Sequence, residues 1–137
     1  MTERKLDQAI SDFQKSVRLS PNFAIARFNL GVALDQQGRF GQAATELEEA
    51  LRLKPGDAQT HLYLAIALVE SGRIDEALAR FRETLRLEPD EVQAHYGLGS
   101  ALALQQKREE AVTELKAALR LRPDYEEARD LLKKLER

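Results

Sequence analysis

The sequence AIARFNLGVALDQQGRFGQAATELEEALRLKPGD, residues 24–57, contains the pattern that decides the fold. The same pattern recurs in register over residues 58–91 and 92–125. The four prolines of the 137-residue chain are therefore spaced 34 residues apart, at Pro21, Pro55, Pro89 and Pro123. A fixed period of this length is typical of repeat proteins, in which each unit is one supersecondary element. The chain is thus predicted to be an array of equal units rather than one irregular globular core.

Each unit contains two helical patterns. In the first unit, the apolar pattern of residues 24–37 stops at Gly38, and glycine is common just past the end of a helix. A second pattern over residues 40–53 has apolar residues at i, i+3 and i+4, and it ends before Pro55, which cannot continue a helix. Gln106 replaces the turn glycine in the third unit, so we expect that turn either to use a costlier residue or to shift slightly.

Side-chain size also repeats with the period. Small residues recur at one position of each helix, namely Gly31, Ala65 and Gly99 on the first and Ala43, Ala77 and Ala111 on the second. Small side chains let two helices approach closely. Large residues are expected to fill the space between successive units, at Leu47, Phe81 and Leu115.

The phase of the period predicts how the chain is divided. We expect residues 1–23 to be the second helix of an incomplete unit, residues 24–57, 58–91 and 92–125 to be whole units, and residues 126–137 to be a C-terminal capping helix. The capping helix has an apolar side formed by Leu131, Leu132 and Leu135. The N-terminal helix lacks a covering partner over Leu6, Ile10, Phe13 and Val17. We therefore expect either a longer parent protein or a second copy of the chain to cover these four residues.

Composition and charge exclude several classes of protein. The chain is 43% hydrophobic and 32% charged, which is too apolar for a disordered chain and too polar for a membrane protein. Its net charge of −2 gives no strong attraction to nucleic acid or to an anionic membrane. Cysteine is absent, and no apolar leader follows Met1. These features favour a cytoplasmic protein without nucleic-acid or membrane partners.

No residue pattern in the sequence predicts catalysis, a cofactor or a metal site. No serine lies in a Gly-x-Ser-x-Gly motif, and no phosphate-binding loop is present. The two histidines, His61 and His95, lie one period apart. Stacked helices would place them roughly 8–10 Å apart, which is too far for shared zinc coordination. A column of arginines either forms a basic stripe or complements helix C-termini, at Arg18, Arg52, Arg86 and Arg120.

The repeated residues resemble the tetratricopeptide repeat family. In the first unit the match comprises Leu30, Gly31, Leu34, Gly38, Phe40, Ala43, Leu47, Ala50 and Pro55. The other two whole units match at most of the corresponding positions. The departures are Thr84, which stands where Ala50 and Ala118 are found, and Arg27, His61 and His95, which stand where the family usually has an aromatic residue. The resemblance implies an all-α, right-handed solenoid of stacked antiparallel helix pairs, with about eight helices. It also implies a non-catalytic role in protein–protein interaction.

In this family the first helices of successive repeats line a concave groove. Carried onto this sequence, the resemblance implies a partner-binding surface formed by Phe28, Asn29, Val32, Gln36, Leu62, Tyr63, Ile66, Val69, Tyr96 and Ser100. The lysine and asparagine clamp of chaperone-binding relatives is absent at these positions. An apolar or amphipathic polypeptide segment is therefore expected as partner, with Phe28, Tyr63 and Tyr96 as anchors.

Two alternatives to groove binding remain at this point. One is a self-assembling scaffold, a homo-oligomer formed through the N-terminal helix. The other is a recognition domain of a larger enzyme whose catalytic part lies outside this chain.

Overall fold

The computed structural model describes residues 2–137, which form eight α-helices and no strand. In chain order these are α1 (Glu3–Leu19), α2 (Ala24–Gln36), α3 (Phe40–Leu53), α4 (Ala58–Glu70), α5 (Ile74–Leu87), α6 (Val92–Leu104), α7 (Arg108–Leu121) and α8 (Glu126–Leu135). The helices pair as α2 with α3, α4 with α5 and α6 with α7, and α1 and α8 pack at the two ends. This confirms the predicted all-α solenoid. No helix within residues 2–137 is long and apolar enough to cross a membrane.

The contacts between pairs define an inner and an outer side of the array. Helix α2 contacts α4, α4 contacts α6, and α6 contacts α8. Over the described residues, by contrast, no Cα atom of α3 lies within 8 Å of α5, and none of α5 lies within 8 Å of α7. The helices α2, α4 and α6 therefore lie closer together than the helices behind them. This spacing curves the array so that α2, α4 and α6 line its concave face.

Small residues set the distance between the two helices of a pair. A Cβ atom built on Gly31 would lie 2.6 Å from Leu47 Cγ, and one built on Gly99 would lie 3.0 Å from Leu115 Cγ. Both leucines are fully buried. The small residues of the second helices are likewise fully buried, at Ala43, Ala77 and Ala111. The two helices can approach this closely only because the facing positions lack large side chains.

The turn between the two helices of each pair is the same hydrogen-bonded motif in all three units. In the third, Gln106 N donates to Ala103 O at 3.0 Å and Lys107 N donates to Leu102 O at 3.0 Å. The motif requires one residue with left-handed backbone conformation. In the first two units these residues are Gly38 and Gly72. Gln106 adopts this conformation with φ 61°, so the turn keeps its place in the period and uses a residue for which positive φ is costlier than for glycine.

Replacing Gln106 by glycine should stabilise the protein by about 0.5–1 kcal/mol, because glycine adopts positive φ without steric cost. The free energy of unfolding, measured by urea denaturation, checks this. The matched control is Gln105→Gly, since Gln105 has φ −91° and donates a side-chain hydrogen bond to Asp75. That control should be destabilised. Loss of stability in Gln106→Gly would contradict the backbone-strain explanation.

Candidate functional site

The concave face contains most of the residues that the sequence assigned to it. Eight are partly buried, with part of the side chain open to solvent, namely Phe28, Asn29, Val32, Tyr63, Ile66, Val69, Tyr96 and Ser100. Gln36 is exposed. Leu62 is 0% exposed, so the structure corrects its assignment to the groove surface. It shares its repeat position with Phe28 and Tyr96, but its shorter side chain ends within the core.

The first half of the groove is a cavity of about 180 Å³, here called the N-terminal cavity. Its lining residues come from α1, α2 and α4: Leu6, Ala9, Phe13, Phe28, Asn29, Val32, Ala33, Gln36 and Tyr63. The Phe28 and Tyr63 rings meet edge to face, with centroids 5.5 Å apart and planes at 82°. This arrangement is favourable for aromatic pairs, and it fixes both rings at the cavity wall.

The second half is a cavity of about 340 Å³, here called the C-terminal cavity. Its lining residues are Ile66, Val69, Glu70, Phe81, Gln93, Tyr96, Gly97, Ser100 and Tyr125. The Tyr96 and Tyr125 ring centroids are 4.9 Å apart, and the Arg122 guanidinium lies 5.0 Å from the Tyr125 centroid. Burial is the largest cause that raises the pKa of Tyr125. The sequence reasoning missed Tyr125, although it is the last residue of the third repeat.

Gly97 gives the C-terminal cavity its depth. A Cβ atom at this position would lie 2.4 Å from Phe81 Cε1. The bare backbone therefore lets the Phe81 ring pack against α6 and line the cavity, although only 1% of the residue is exposed. Asn29 and Tyr63 occupy the same repeat position in the preceding units, so this opening is specific to the third unit.

Two polar groups on the concave side have buried atoms without a hydrogen-bond partner among the described residues. They are the Oδ1 atom of Asp35 and the hydroxyl oxygen of Ser100. The pKa of Asp35 is raised, first by burial and then by repulsion from the Glu70 carboxylate. Each of these two atoms is therefore removed from water without a compensating hydrogen bond within the described residues.

The three residues that depart from the usual aromatic position have a structural role. A side-chain nitrogen of Arg27, His61 and His95 lies 3.3, 2.9 and 2.8 Å, respectively, from the carbonyl oxygen of the proline six residues earlier. A second nitrogen contacts the following helix, at Glu46, Arg80 and Glu114, respectively. These residues fasten the proline turn to the second helix. Within residues 2–137, no group of three His, Cys, Asp or Glu side chains could hold a metal ion.

The arginine column does not form a free basic stripe. Arg52 Nε donates to Glu49 Oε1 at 2.7 Å, and Arg86 Nε donates to Glu83 Oε1 at 3.0 Å. These pairs raise the pKa of each arginine and lower that of each glutamate. Two of the four cations are thus paired within their own helix.

The residues predicted for self-association are only partly available. Leu6 and Ile10 are 7% and 4% exposed, because that face of α1 packs into the core formed with α2. Neither residue presents an open surface to a second copy, which corrects that part of the prediction. Phe13 and Val17 are partly exposed, and they line cavities on the two sides of α1.

The capping helix α8 agrees with the predicted polarity. Leu135 packs on the core, Leu131 and Leu132 are partly buried, and the charged residues are exposed. Its most buried residue is Ala128, at 0% exposure.

Comparison with known families decides the identity of the repeat. A family model described as tetratricopeptide repeat matches residues 1–58 and 62–126, and a second model with the same description matches residues 36–81. The chain belongs to the tetratricopeptide repeat family. No curated protein matches its sequence.

Several solved structures share the fold. The crystal structure of MamA is 18% identical with a TM-score of 0.90, and the alignment covers 95% of this chain and 76% of MamA. The Arabidopsis OM64 TPR domain is 21% identical with a TM-score of 0.81, covering 82% and 93%. The first TPR of Spaghetti (RPAP3), bound to the HSP90 peptide SRMEEVD, is 22% identical with a TM-score of 0.80, covering 82% and 90%. At these identities the likeness is one of fold.

Gly97→Ala should destabilise this repeat protein by about 1–3 kcal/mol, because the new methyl group forces Phe81 out of its buried position. The matched control is Gly41→Ala, where a Cβ atom meets nothing within 4 Å in α3. That change should stabilise the protein by up to about 1 kcal/mol through helix propensity. Urea denaturation measures both changes. Equal stabilisation by the two substitutions would contradict the described packing of Phe81.

Asp35→Asn should raise the melting temperature at pH 7. Since the pKa of Asp35 is raised above 3.8 in the folded state, its charged form costs stability at neutral pH. As pH falls through the raised pKa of the folded state, Asp35 becomes protonated and this cost disappears. The gain in melting temperature from Asp35→Asn should therefore shrink towards pH 4. Thermal melts followed by circular dichroism test this, with the exposed Asp130→Asn as control. A gain that grows on acidification would refute the assigned direction.

Proposed function

We propose that the chain is a non-catalytic interaction module that binds an apolar or amphipathic polypeptide segment in its concave groove. One observation carries the proposal: the inner helices present partly exposed aromatic and aliphatic side chains around two cavities on the same face. Contiguous apolar surface of this kind commonly marks an interaction site. The fixed Phe28–Tyr63 and Tyr96–Tyr125 pairs provide rigid anchors, and tyrosine is enriched among residues that dominate binding energy.

The fold supports a peptide as the ligand. The RPAP3 domain, which shares this architecture, is a tetratricopeptide structure with a bound peptide, SRMEEVD. In this chain the groove carries Phe28, Val32 and Tyr63 at positions where chaperone-binding relatives have a lysine and asparagine clamp. The proposed ligand is therefore an apolar segment rather than an acidic C-terminal peptide.

The side chains on the concave face favour recognition over chemistry. Ser100 is the one serine among the residues that line the C-terminal cavity, and its hydroxyl oxygen has no hydrogen-bond partner among the described residues, so it is not hydrogen-bonded to Glu70 or to another base. Activation of a serine nucleophile requires an adjacent base. The proposed role is accordingly to hold a partner in place.

Tyr63→Ala should weaken the binding of peptides selected from a random dodecapeptide library. Their affinity for this variant should be at least about fivefold lower than for the wild type, which corresponds to 1 kcal/mol. The substitution removes the Tyr63 ring, which forms part of the groove wall and packs against the Phe28 ring. Fluorescence anisotropy measures the affinity, and Phe28→Ala should behave in the same way.

The matched control for this experiment is Leu121→Ala. Leu121 is 41% exposed at the end of α7, outside both cavities, so its loss should leave affinity unchanged. The acidic peptide SRMEEVD should not bind. Equal affinity of the selected peptides for wild type and a Phe28→Ala, Tyr63→Ala double variant would disprove groove binding.

A further inference from the structure

Helix α1 is seated on α2 in the same way that α5 is seated on α6. Gln37 Nε2 donates a hydrogen bond to Asp7 Oδ1, and Gln105 Nε2 donates one to Asp75 Oδ1 at 2.5 Å. Both residues of the second bond lie two periods after those of the first. Helix α1 therefore holds the register of a second helix, and its residues can be compared with those of α3, α5 and α7 one period at a time.

One face of α1 lacks the cover that it has in the whole units. In α3 this face includes Ala43 and Leu47, which are 0% exposed and lie under Gly31 of α2. One period earlier the same positions are Ala9 and Phe13, which are partly exposed and line the N-terminal cavity. Within residues 2–137, α1 packs on α2 alone, so the position that α2 takes on α3 is open on α1.

The three whole units show which kind of helix fits this face. The covering helix has a small residue over the buried pair, at Gly31, Ala65 and Gly99. Four residues earlier, it has a side chain whose nitrogen reaches the second helix, at Arg27, His61 and His95. Arg27 lies 2.9 Å from the carboxylate of Glu46. His95 lies 2.8 Å from that of Glu114. The fitting helix thus combines arginine or histidine with glycine or alanine one turn later.

Helix α1 has the matching acceptor beside its open face. Asp12 lies one period before Glu46, and it is exposed. It accepts a hydrogen bond from Gln8 of its own helix at 3.0 Å, and it forms no ion pair within residues 2–137. A carboxylate next to Ala9 and Phe13 complements, in charge and in shape, a helix that presents a cation and a small residue.

A second copy of the chain does not supply this helix. The helices α2, α4 and α6 are already paired with their own second helices. Helix α8 has Arg129 at the basic position but Lys133 at the position of the small residue. A single Cβ atom added to Gly31 would already lie 2.6 Å from Leu47 Cγ, so a lysine side chain leaves no room for close packing on Phe13. The fitting helix therefore belongs to another polypeptide.

We propose that the open face of α1, formed by Ala9, Asp12 and Phe13, is a docking site for an amphipathic helix of a partner protein. The partner helix places glycine or alanine against Ala9 and Phe13, and it places arginine or histidine, four residues earlier, beside Asp12. The proposal goes beyond groove binding, because its main contact is α1 rather than the inner helices. Either proposal can therefore fail without the other.

The probe for this site is a synthetic peptide with the sequence of residues 24–37, which carries Arg27 and Gly31 at the required spacing. Ile25→Lys and Asn29→Asp in the peptide, joined by a side-chain lactam, keep it helical at two positions that are open to solvent in α2. Fluorescence anisotropy should show saturable binding to the full chain. Ala9→Lys in the protein should weaken this binding at least about tenfold, because the longer side chain occupies the place of the peptide glycine.

Exchanging charges tests the orientation of the docked helix. Arg27→Glu in the peptide should weaken binding about fivefold, because the new carboxylate faces Asp12. Asp12→Arg in the protein should restore most of the affinity for that peptide while weakening the original one. The matched control Ala79→Lys adds the same side chain at an exposed alanine of α5 and should leave affinity unchanged. Circular dichroism confirms that each variant is folded.

Several results would overturn the docking site. They are absence of binding to the wild type, binding that Ala9→Lys leaves unchanged, and failure of Asp12→Arg to rescue the Arg27→Glu peptide. Binding that Tyr96→Ala abolishes and Ala9→Lys does not would place the peptide in the C-terminal cavity, and groove binding would stand. Self-association of the chain alone that Ala9→Lys abolishes, measured by sedimentation, would make a second copy the occupant instead of a partner protein.

Discussion

The close approach of the two helices in each pair is the constraint on which the rest of the structure depends. A Cβ atom on Gly31 would clash with Leu47, and one on Gly99 would crowd Leu115. Between pairs, neighbouring first helices have Cα atoms within 8 Å of each other, whereas neighbouring second helices do not. The first helices therefore line the concave face, where a row of their side chains is partly exposed.

The same packing explains why the two halves of the groove differ. Asn29, Tyr63 and Gly97 occupy the same position in successive repeats. At Asn29 and Tyr63 a side chain covers the concave face, and the N-terminal cavity holds about 180 Å³. Where this position carries Gly97, the buried Phe81 ring forms part of the surface, and the C-terminal cavity holds about 340 Å³. The glycine at this one position of an otherwise regular array thus accompanies the larger of the two cavities. A repeat scaffold gains specificity in this way without changing its fold.

Periodicity alone predicted the helices well, because helix ends depend on local signals such as Gly38 and Pro55. The bounds Phe40–Leu53 agree with the predicted helix, and the left-handed Gln106 follows from its place in the period. Side-chain exposure was harder to predict, since it depends on neighbours from other units. Leu62 is buried where Phe28 is partly exposed, and the ring contact of Tyr125 depends on the turn after α7.

Groove binding is tested most directly by mapping where a selected peptide contacts the isotope-labelled protein, using amide chemical-shift changes in NMR spectra. Binding in the groove predicts that the largest changes lie on α2, α4 and α6, centred on Tyr63 and on the residues of the C-terminal cavity. The amides of α3, α5 and α7 that face away from the groove should change little. Changes concentrated on those outer helices, with the inner helices unaffected, would contradict the central claim.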